Sequence, residues 1–224
     1  MRVLITGGSG GLGSAAAAAF GARGDTVYLW GRDEGGLEQT AEAVEVAGGT
    51  ASVRAVDVRD PEAVDHGVAA IDDIIDILLP CAAITAGPTG KTPLPDLDEE
   101  AFESVMQTNV TGVFTTIRAA LPTMAADGRV LVPSGSVARE PTPGIGAYGV
   151  SKAAVEGLAR GFSADTDRIV GVVDPGLVAT DLTGGKGRDP ESVGELFVWA
   201  STDCPTEDLD GEIVTLREWR VATR

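Results

Sequence analysis

Histidine occurs once in this chain of 224 residues, and cysteine and tyrosine twice each. Lysine occurs three times. Each scarcity closes off a class of chemistry. His66 stands alone on an acidic stretch expected to be exposed, so no histidine-based triad and no metal set is available. Cys81 and Cys204 show neither metal nor redox spacing, and Cys81 reads as a small buried residue rather than a nucleophile. A reduced, cytoplasmic protein is the expectation. No run of about 18 apolar residues is present, which excludes a membrane-spanning helix. The opening MRVLITGG enters a strand-like pattern at once and leaves no room for a signal peptide. Positive charge is also short, with 17 Lys and Arg against 34 Asp and Glu, a net charge of -17. Phosphate-rich partners need basic patches, so nucleic acid and anionic membrane are not expected. Self-repulsion of this size is relieved by salt. Adaptation to a saline host and ordinary acidic bias both produce it. Under the first, stability and activity should rise with salt.

What is present is regular alternation. Segments 2–6, 26–30, 51–56, 74–79, 128–132, 168–173 and 212–216 read as strands, several of them nearly continuous apolar runs, as strands buried on both faces should be. Between them lie helix-length segments at 11–23, 34–47, 61–71, 98–126 (read as two helices), 147–164 and 190–201. That order predicts an α/β fold: a three-layer, doubly wound parallel sheet of about seven strands, with helices on both faces. No linker or repeat interrupts it, so residues 1–224 are expected to form a single domain. Stretches 87–95 and 183–190 read as loops at the ligand-binding edge.

The first strand runs into LITGGSGGLGSAAAAAF (4–20), a glycine-rich turn opening an alanine-rich helix. Glycines let backbone approach a pyrophosphate, and the helix N-terminus offers it free N–H groups and a positive dipole end. The spacing is Thr6-Gly7-x-x-x-Gly11-x-Gly13. With VDV at 56–58, TNVTGVF at 108–114, GRVLVPSGSVA at 128–138, YGVSK at 148–152 and DPGLVATDL at 174–182, it resembles the short-chain dehydrogenase/reductase family almost end to end. The resemblance implies a Rossmann-type fold and a nicotinamide cofactor. Its expected contacts are Thr6, Gly7, Ser9, Gly11, Leu12, Gly13, Arg32, Asp57, Val58, Ala82, Ala83, Asn109, Tyr148, Lys152, Pro175, Gly176, Val178 and Thr180. Asp57 would accept from the adenine amino group.

Tyr148 and Lys152 sit four residues apart, on one face of a helix. Reduction of a ketone needs a proton for the alkoxide oxygen, and a neighbouring ammonium stabilises the phenolate left behind. The resemblance implies Tyr148 as general acid/base, Lys152 as its partner and a ribose ligand, and Asn109 as holder of a relay water. Ser136 is the expected donor to the substrate oxygen, with Ser134 in reserve. The usual family spacing points to the residue between them, Gly135. The second strand ends WGRD. Glycine stands where an acid would mark NAD(H), and Arg32 can clamp a 2′-phosphate, so NADP(H) is favoured over NAD(H).

The expected function is an NADP-dependent carbonyl reductase or alcohol dehydrogenase acting on a small ketone or secondary alcohol. The alternative is a non-catalytic NAD(P)-binding sensor on the same fold. A sugar epimerase needs a substrate domain for which the chain is too short. Two departures feed the sensor reading. Pro80-Cys81-Ala82-Ala83 replaces the family's Asn-Asn-Ala-Gly, and 183–190 is too short for a usual lid, so cover must come from elsewhere. Apolar breadth in 110–124 and 153–162 predicts a homo-oligomer, a tetramer or dimer, paired through the helices that carry Asn109 and Tyr148.

Overall fold

The computed structural model describes residues 1–224. Seven parallel strands form one sheet: β1 (Arg2–Thr6), β2 (Thr26–Gly31), β3 (Thr50–Ala55), β4 (Ile75–Pro80), β5 (Met124–Pro133), β6 (Ile169–Asp174) and β7 (Ile213–Thr215). Their order is β3-β2-β1-β4-β5-β6-β7. The chain starts near the middle, winds outward to β3, then returns to β4 and winds to the other edge. The reversal between β1 and β4 leaves a crevice at their carboxyl ends, where parallel sheets take ligands.

The helices are α1 (Gly11–Ala22), α2 (Glu34–Ala47), α3 (Pro61–Ala69), α4 (Glu99–Met106), α5 (Gly112–Ala120), α6 (Ala147–Asp165), α7 (Glu191–Thr202), α8 (Thr206–Leu209) and α9 (Leu216–Ala222). The twofold alternation of β1 sorts its side chains between two cores. Val3 and Ile5 pack with Phe20 of α1, Leu37 and Val44 of α2 and Phe197 of α7. Leu4 packs on the opposite face with Val64 of α3, Ile117 of α5 and Val155 of α6. The three-layer architecture is therefore the one the apolar runs predict.

Three local differences matter. The stretch expected as two helices is α4 and α5 joined through a π turn at Gln107–Thr111, which places Asn109 in an irregular turn, where functional groups often sit. β5 begins at Met124, before the apolar run that suggested 128, and its pairing with β4 shifts register between Ile75 and Ile77. After β7 the chain forms α9, which the sequence reading left unassigned. Its start is a reciprocal cap between Thr215 and Glu218, spelled T-L-R-E in the sequence and legible as a capping box.

Candidate active site

β1 ends at Thr6, and the chain turns through glycines into α1. A Cβ on Gly7 would lie 2.8 Å from the Ala82 backbone, and Gly7 has φ 66. A Cβ on Gly13 would lie 2.3 Å from the Gly7 carbonyl oxygen. Larger residues are therefore excluded from the turn, which keeps backbone exposed where a ligand can reach it. No side chain caps α1 and no acid sits in its first turn. Its open N–H groups and positive dipole end suit a pyrophosphate. This cradle forms part of a cleft of about 510 Å³.

The cleft gathers almost every residue expected there. Gly7, Ser9, Gly11, Leu12, Gly13, Arg32, Asp57, Val58, Ala82, Ala83, Ser136, Tyr148, Lys152, Pro175, Gly176, Val178 and Thr180 all line it. Thr6 and Asn109 do not; both stand behind the wall and hold it. Thr6 Oγ1 accepts from the Ala82 N–H at 3.3 Å. Asn109 is buried, and its Oδ1 accepts from the Ile84 N–H at 2.8 Å. Its Nδ2 donates to the Ile84 carbonyl at 2.9 Å and to Ser151 Oγ at 3.0 Å. Both amide donors are spent in this way. The side chain thus ties the strand-four turn to α6.

The same bonds explain how Pro80-Cys81-Ala82-Ala83 is tolerated. Pro80 is the last residue of β4, where a missing donor costs little. The Cys81 N–H donates to the Thr6 carbonyl at 3.1 Å, and Asn109 fixes Ile84. Burial pushes the Cys81 thiol up to about 12 against the opposing pull of Lys152. It stays protonated near neutral pH and supplies no thiolate.

Tyr148 and Lys152 are one turn apart on α6. Lys152 is buried, with Nζ 5.5 Å from the centre of the tyrosine ring. Nζ also donates to the Pro133 carbonyl at 2.9 Å, which fixes its position. The two serines differ. Ser134 is buried and its Oγ donates to Glu156 Oε1 at 2.7 Å. Ser136 is exposed to the cleft and begins a short 3-10 turn, Ser136–Ala138. Gly135, between them, has extended backbone, and a Cβ there would meet nothing within 4 Å.

A feature the sequence reading missed lies just behind this turn. Arg139 bridges two buried carboxylates, donating from Nη1 to Glu156 Oε1 at 2.6 Å and from Nη2 to Asp174 Oδ2. Glu156 continues the face of Tyr148 and Lys152 by one more turn, a spacing visible in the sequence. No local pattern ties Arg139 or Asp174 to it.

At the far end, Arg32 is exposed and makes no ion pair, while Asp33 caps α2 by accepting from the Gly36 N–H. Asp57 is held by Arg59 through side-chain and backbone donors. Those hydrogen bonds keep its carboxyl below the usual carboxylate range. An adenine contact at Asp57 must therefore share that carboxylate with Arg59. Thr89 and Leu182 both line the cleft, and the Thr89 hydroxyl donates to the Leu182 carbonyl. This contact joins the 84–92 loop to the 3-10 turn at Asp181–Thr183. Ile84, Val137, Ile145 and Leu177 add apolar lining that no motif announced.

No helix is long and apolar enough to cross a membrane. The family model for short chain dehydrogenases matches residues 1–191. Gluconate 5-dehydrogenase of Gluconobacter oxydans is 35% identical over 190 residues, covering 81% of this chain and 73% of that one. Sulfoacetaldehyde reductase of Chromohalobacter salexigens is 31% identical over 218 residues, covering 92% and 84%. The alcohol dehydrogenase of the archaeon Thermococcus sibiricus, solved with 5-hydroxy-NADP, superposes with a TM-score of 0.82 at 27% identity, covering 96% and 95%. A glycine cradle at the sheet's reversal, a Tyr–Lys pair on one helix face and this sequence match agree: the chain belongs to the short-chain dehydrogenase/reductase family of nicotinamide-dependent oxidoreductases.

Proposed function

We propose that the protein is an NADP(H)-dependent carbonyl reductase or alcohol dehydrogenase, with residues 1–224 acting as one unit. The observation that carries this reading is Tyr148 in the cleft with a buried, backbone-anchored Lys152 beside it. The glycine cradle, where side chains do not fit, supports a nucleotide there. A bound nicotinamide supplies the hydride. Tyr148 gives its phenolic proton to the carbonyl oxygen of the substrate, and Lys152 stabilises the phenolate that remains. Ser136 donates a hydrogen bond to the same oxygen as negative charge builds on it. Thr6 and Asn109 are positioning residues for the cleft wall. The two free cysteines fit a cytoplasmic setting.

The serine assignment has a rescue test. Ser136→Ala should cost about 10²-fold in kcat, the usual loss on removing one oxyanion donor. Adding Gly135→Ser in that background should restore part of the rate, because the space beside Gly135 is open and its backbone suits any residue. Ser134→Ala should leave kcat much less changed. A Ser134→Ala loss as large as that of Ser136→Ala would overturn the assignment.

Arg32 is the proposed clamp for a 2′-phosphate. Asp33 is occupied as a helix cap, which limits its opposition. A charged hydrogen bond of this kind contributes about 1.5–3 kcal/mol. Arg32→Ala should therefore lower kcat/KM for NADPH by about tenfold or more and leave NADH nearly unchanged. Equal efficiencies for both nucleotides in the parent enzyme would remove the preference.

The outer faces of α5 and α6 support self-association. Phe114 is 43% exposed and Val150 37%, and the Phe114 ring lies 5.9 Å from that of Phe162. A tetramer or dimer buried on this face should dissociate in Phe114→Glu. High salt should stabilise both fold and assembly. The screening length falls from about 30 Å at 0.01 M to about 3 Å at 1 M, and the net charge of -17 then acts only between near neighbours. Sedimentation and melting curves across a KCl series check both claims. A monomer throughout, or a melting temperature that does not rise, would contradict them.

A further inference from the structure

A second cavity opens beside the cleft and shares Ser136 and Gly176 with it. It therefore meets the cleft at the catalytic serine, away from Arg32 and Asp57. Arg217, Arg220 and Arg224 line it. The first two lie on α9 and the third just beyond it. The helix starts at Thr215, whose strand partner is Asp174 at the carboxyl end of β6, so it stands on the ligand edge of the sheet.

Three cations at this cavity lack a direct carboxylate partner. Acids outnumber bases two to one in the chain, yet none of the three arginines makes an ion pair. Asp174 also lines the cavity, but its Oδ2 takes Arg139 and its Oδ1 takes the Gly176 N–H. Glu218, the acid on α9, accepts from the Thr215 N–H and hydroxyl and keeps its charge, but it forms no ion pair with these arginines. A fourth arginine lies close to Gly176 without lining the cavity. Arg188 has a buried Nε without a hydrogen-bond partner, and that nitrogen lies 3.9 Å from where a Cβ on Gly176 would be. Arg217 and Arg220 are three apart on α9, which sets their side chains on one side. All three arginines are exposed, and they border the corner where the proposed reading places the substrate oxygen.

We infer that this cavity receives an oxyanion group of the substrate, a carboxylate or sulfonate on the carbonyl compound whose oxygen meets Ser136 and Tyr148. The inference rests on the oxidoreductase reading above and names its substrate class. Guanidinium forks match either oxyanion. They also reverse, locally, the negative field that would otherwise repel an acidic substrate.

Methyl ketones with a terminal carboxylate, sulfonate or carboxamide, at several chain lengths, are the kinetic probes. At the best length, an acid should exceed the matched amide by about tenfold or more in kcat/KM, the yield of one charged hydrogen bond. The carboxylate and sulfonate arms show which oxyanion is preferred. Arg217→Ala/Arg220→Ala should erase the acid-over-amide ratio, whereas Arg160→Ala, an exposed arginine elsewhere on α6, should keep it. Calorimetric titration with butyrate and propanesulfonate, which carry no ketone, gives a readout independent of turnover. Saturable binding lost in the double variant is expected. Where any probe turns over, the ratio decides, and equal acid and amide efficiencies, or equal effects of the double variant and Arg160→Ala, overturn the inference. Where no ketone is reduced with either nucleotide, the proposed function fails, and calorimetry alone decides the cavity, with absent binding refuting it.

Discussion

Tyr148→Phe should lower kcat by about 10²- to 10⁴-fold, the range that a positioned general acid contributes, while NADPH binding stays within about threefold of the parent. The split follows from where the groups stand. Removing the phenolic oxygen removes the proton that the alkoxide takes, and no other acid with a suitable hydrogen occupies that position on α6. On the proposed reading the nucleotide is held elsewhere, by the cradle at Gly7–Gly13 and by Arg32, which the substitution leaves intact. The ring itself remains, so the packing around Lys152 persists. Lys152→Ala should behave differently. It removes the cation beside the phenol and frees the Pro133 carbonyl, so both turnover and nucleotide affinity should fall. Steady-state rates with a reducible carbonyl, together with nucleotide fluorescence titration, separate the two outcomes. A Tyr148→Phe enzyme that retains most of its rate would falsify the proton-donor role.

Arg139→Ala should cost about 3–5 kcal/mol of stability, the usual consequence of leaving buried charge without a partner. The side chains of Glu156 and Asp174 are 5% and 8% exposed. Arg139 is the one cation paired with both. It is itself 35% exposed, so its own burial costs little; the penalty arises from the two carboxylates it leaves. Other donors remain, Ser134 on Glu156 and the Gly176 N–H on Asp174, but neither carries charge. Arg139→Lys should recover only part of the loss, because an ammonium cannot present two parallel donors to carboxylates on different elements. Adding Glu156→Gln and Asp174→Asn to Arg139→Ala should recover more, since the uncompensated charge is then gone. Urea unfolding of the four proteins tests this order. A destabilisation below about 1 kcal/mol in Arg139→Ala, the range of an exposed pair, would show that water reaches the carboxylates and that the bridge matters little.

The alternation of apolar runs with helix-length amphipathic stretches sufficed to place the seven strands: inner strands buried on both faces leave a continuous apolar signature, whereas β3, largely exposed, is marked by its interval between two helical stretches. The glycine turn was legible for a similar reason. Gly7 and Gly13 are required by backbone contacts within and next to one βα unit, so the pattern is written locally. Tyr148 and Lys152 share a helix, and four residues fix their relation before any tertiary contact forms. The π turn at Asn109, by contrast, has no spacing of its own, and the amide's three partners come from segments 25 and 42 residues away. The choice between Ser134 and Ser136 was open in sequence. They lie two residues apart and both line the cleft, and the approach of Glu156 on α6 engages the Ser134 hydroxyl while Ser136 stays exposed. Likewise, Thr89 meets Leu182 across 93 residues, and Arg139 meets Asp174 across 35. Such pairs depend on where strand order and crossover direction deliver each segment. Local periodicity carries no record of that, so the family, the fold and the spacing that sets Tyr148 and Lys152 on one helix face were legible in the sequence alone, while the Thr89–Leu182 contact, the surroundings of the two serines, the buried charge bridge and the arginine-lined corner were decided by the packing of the sheet.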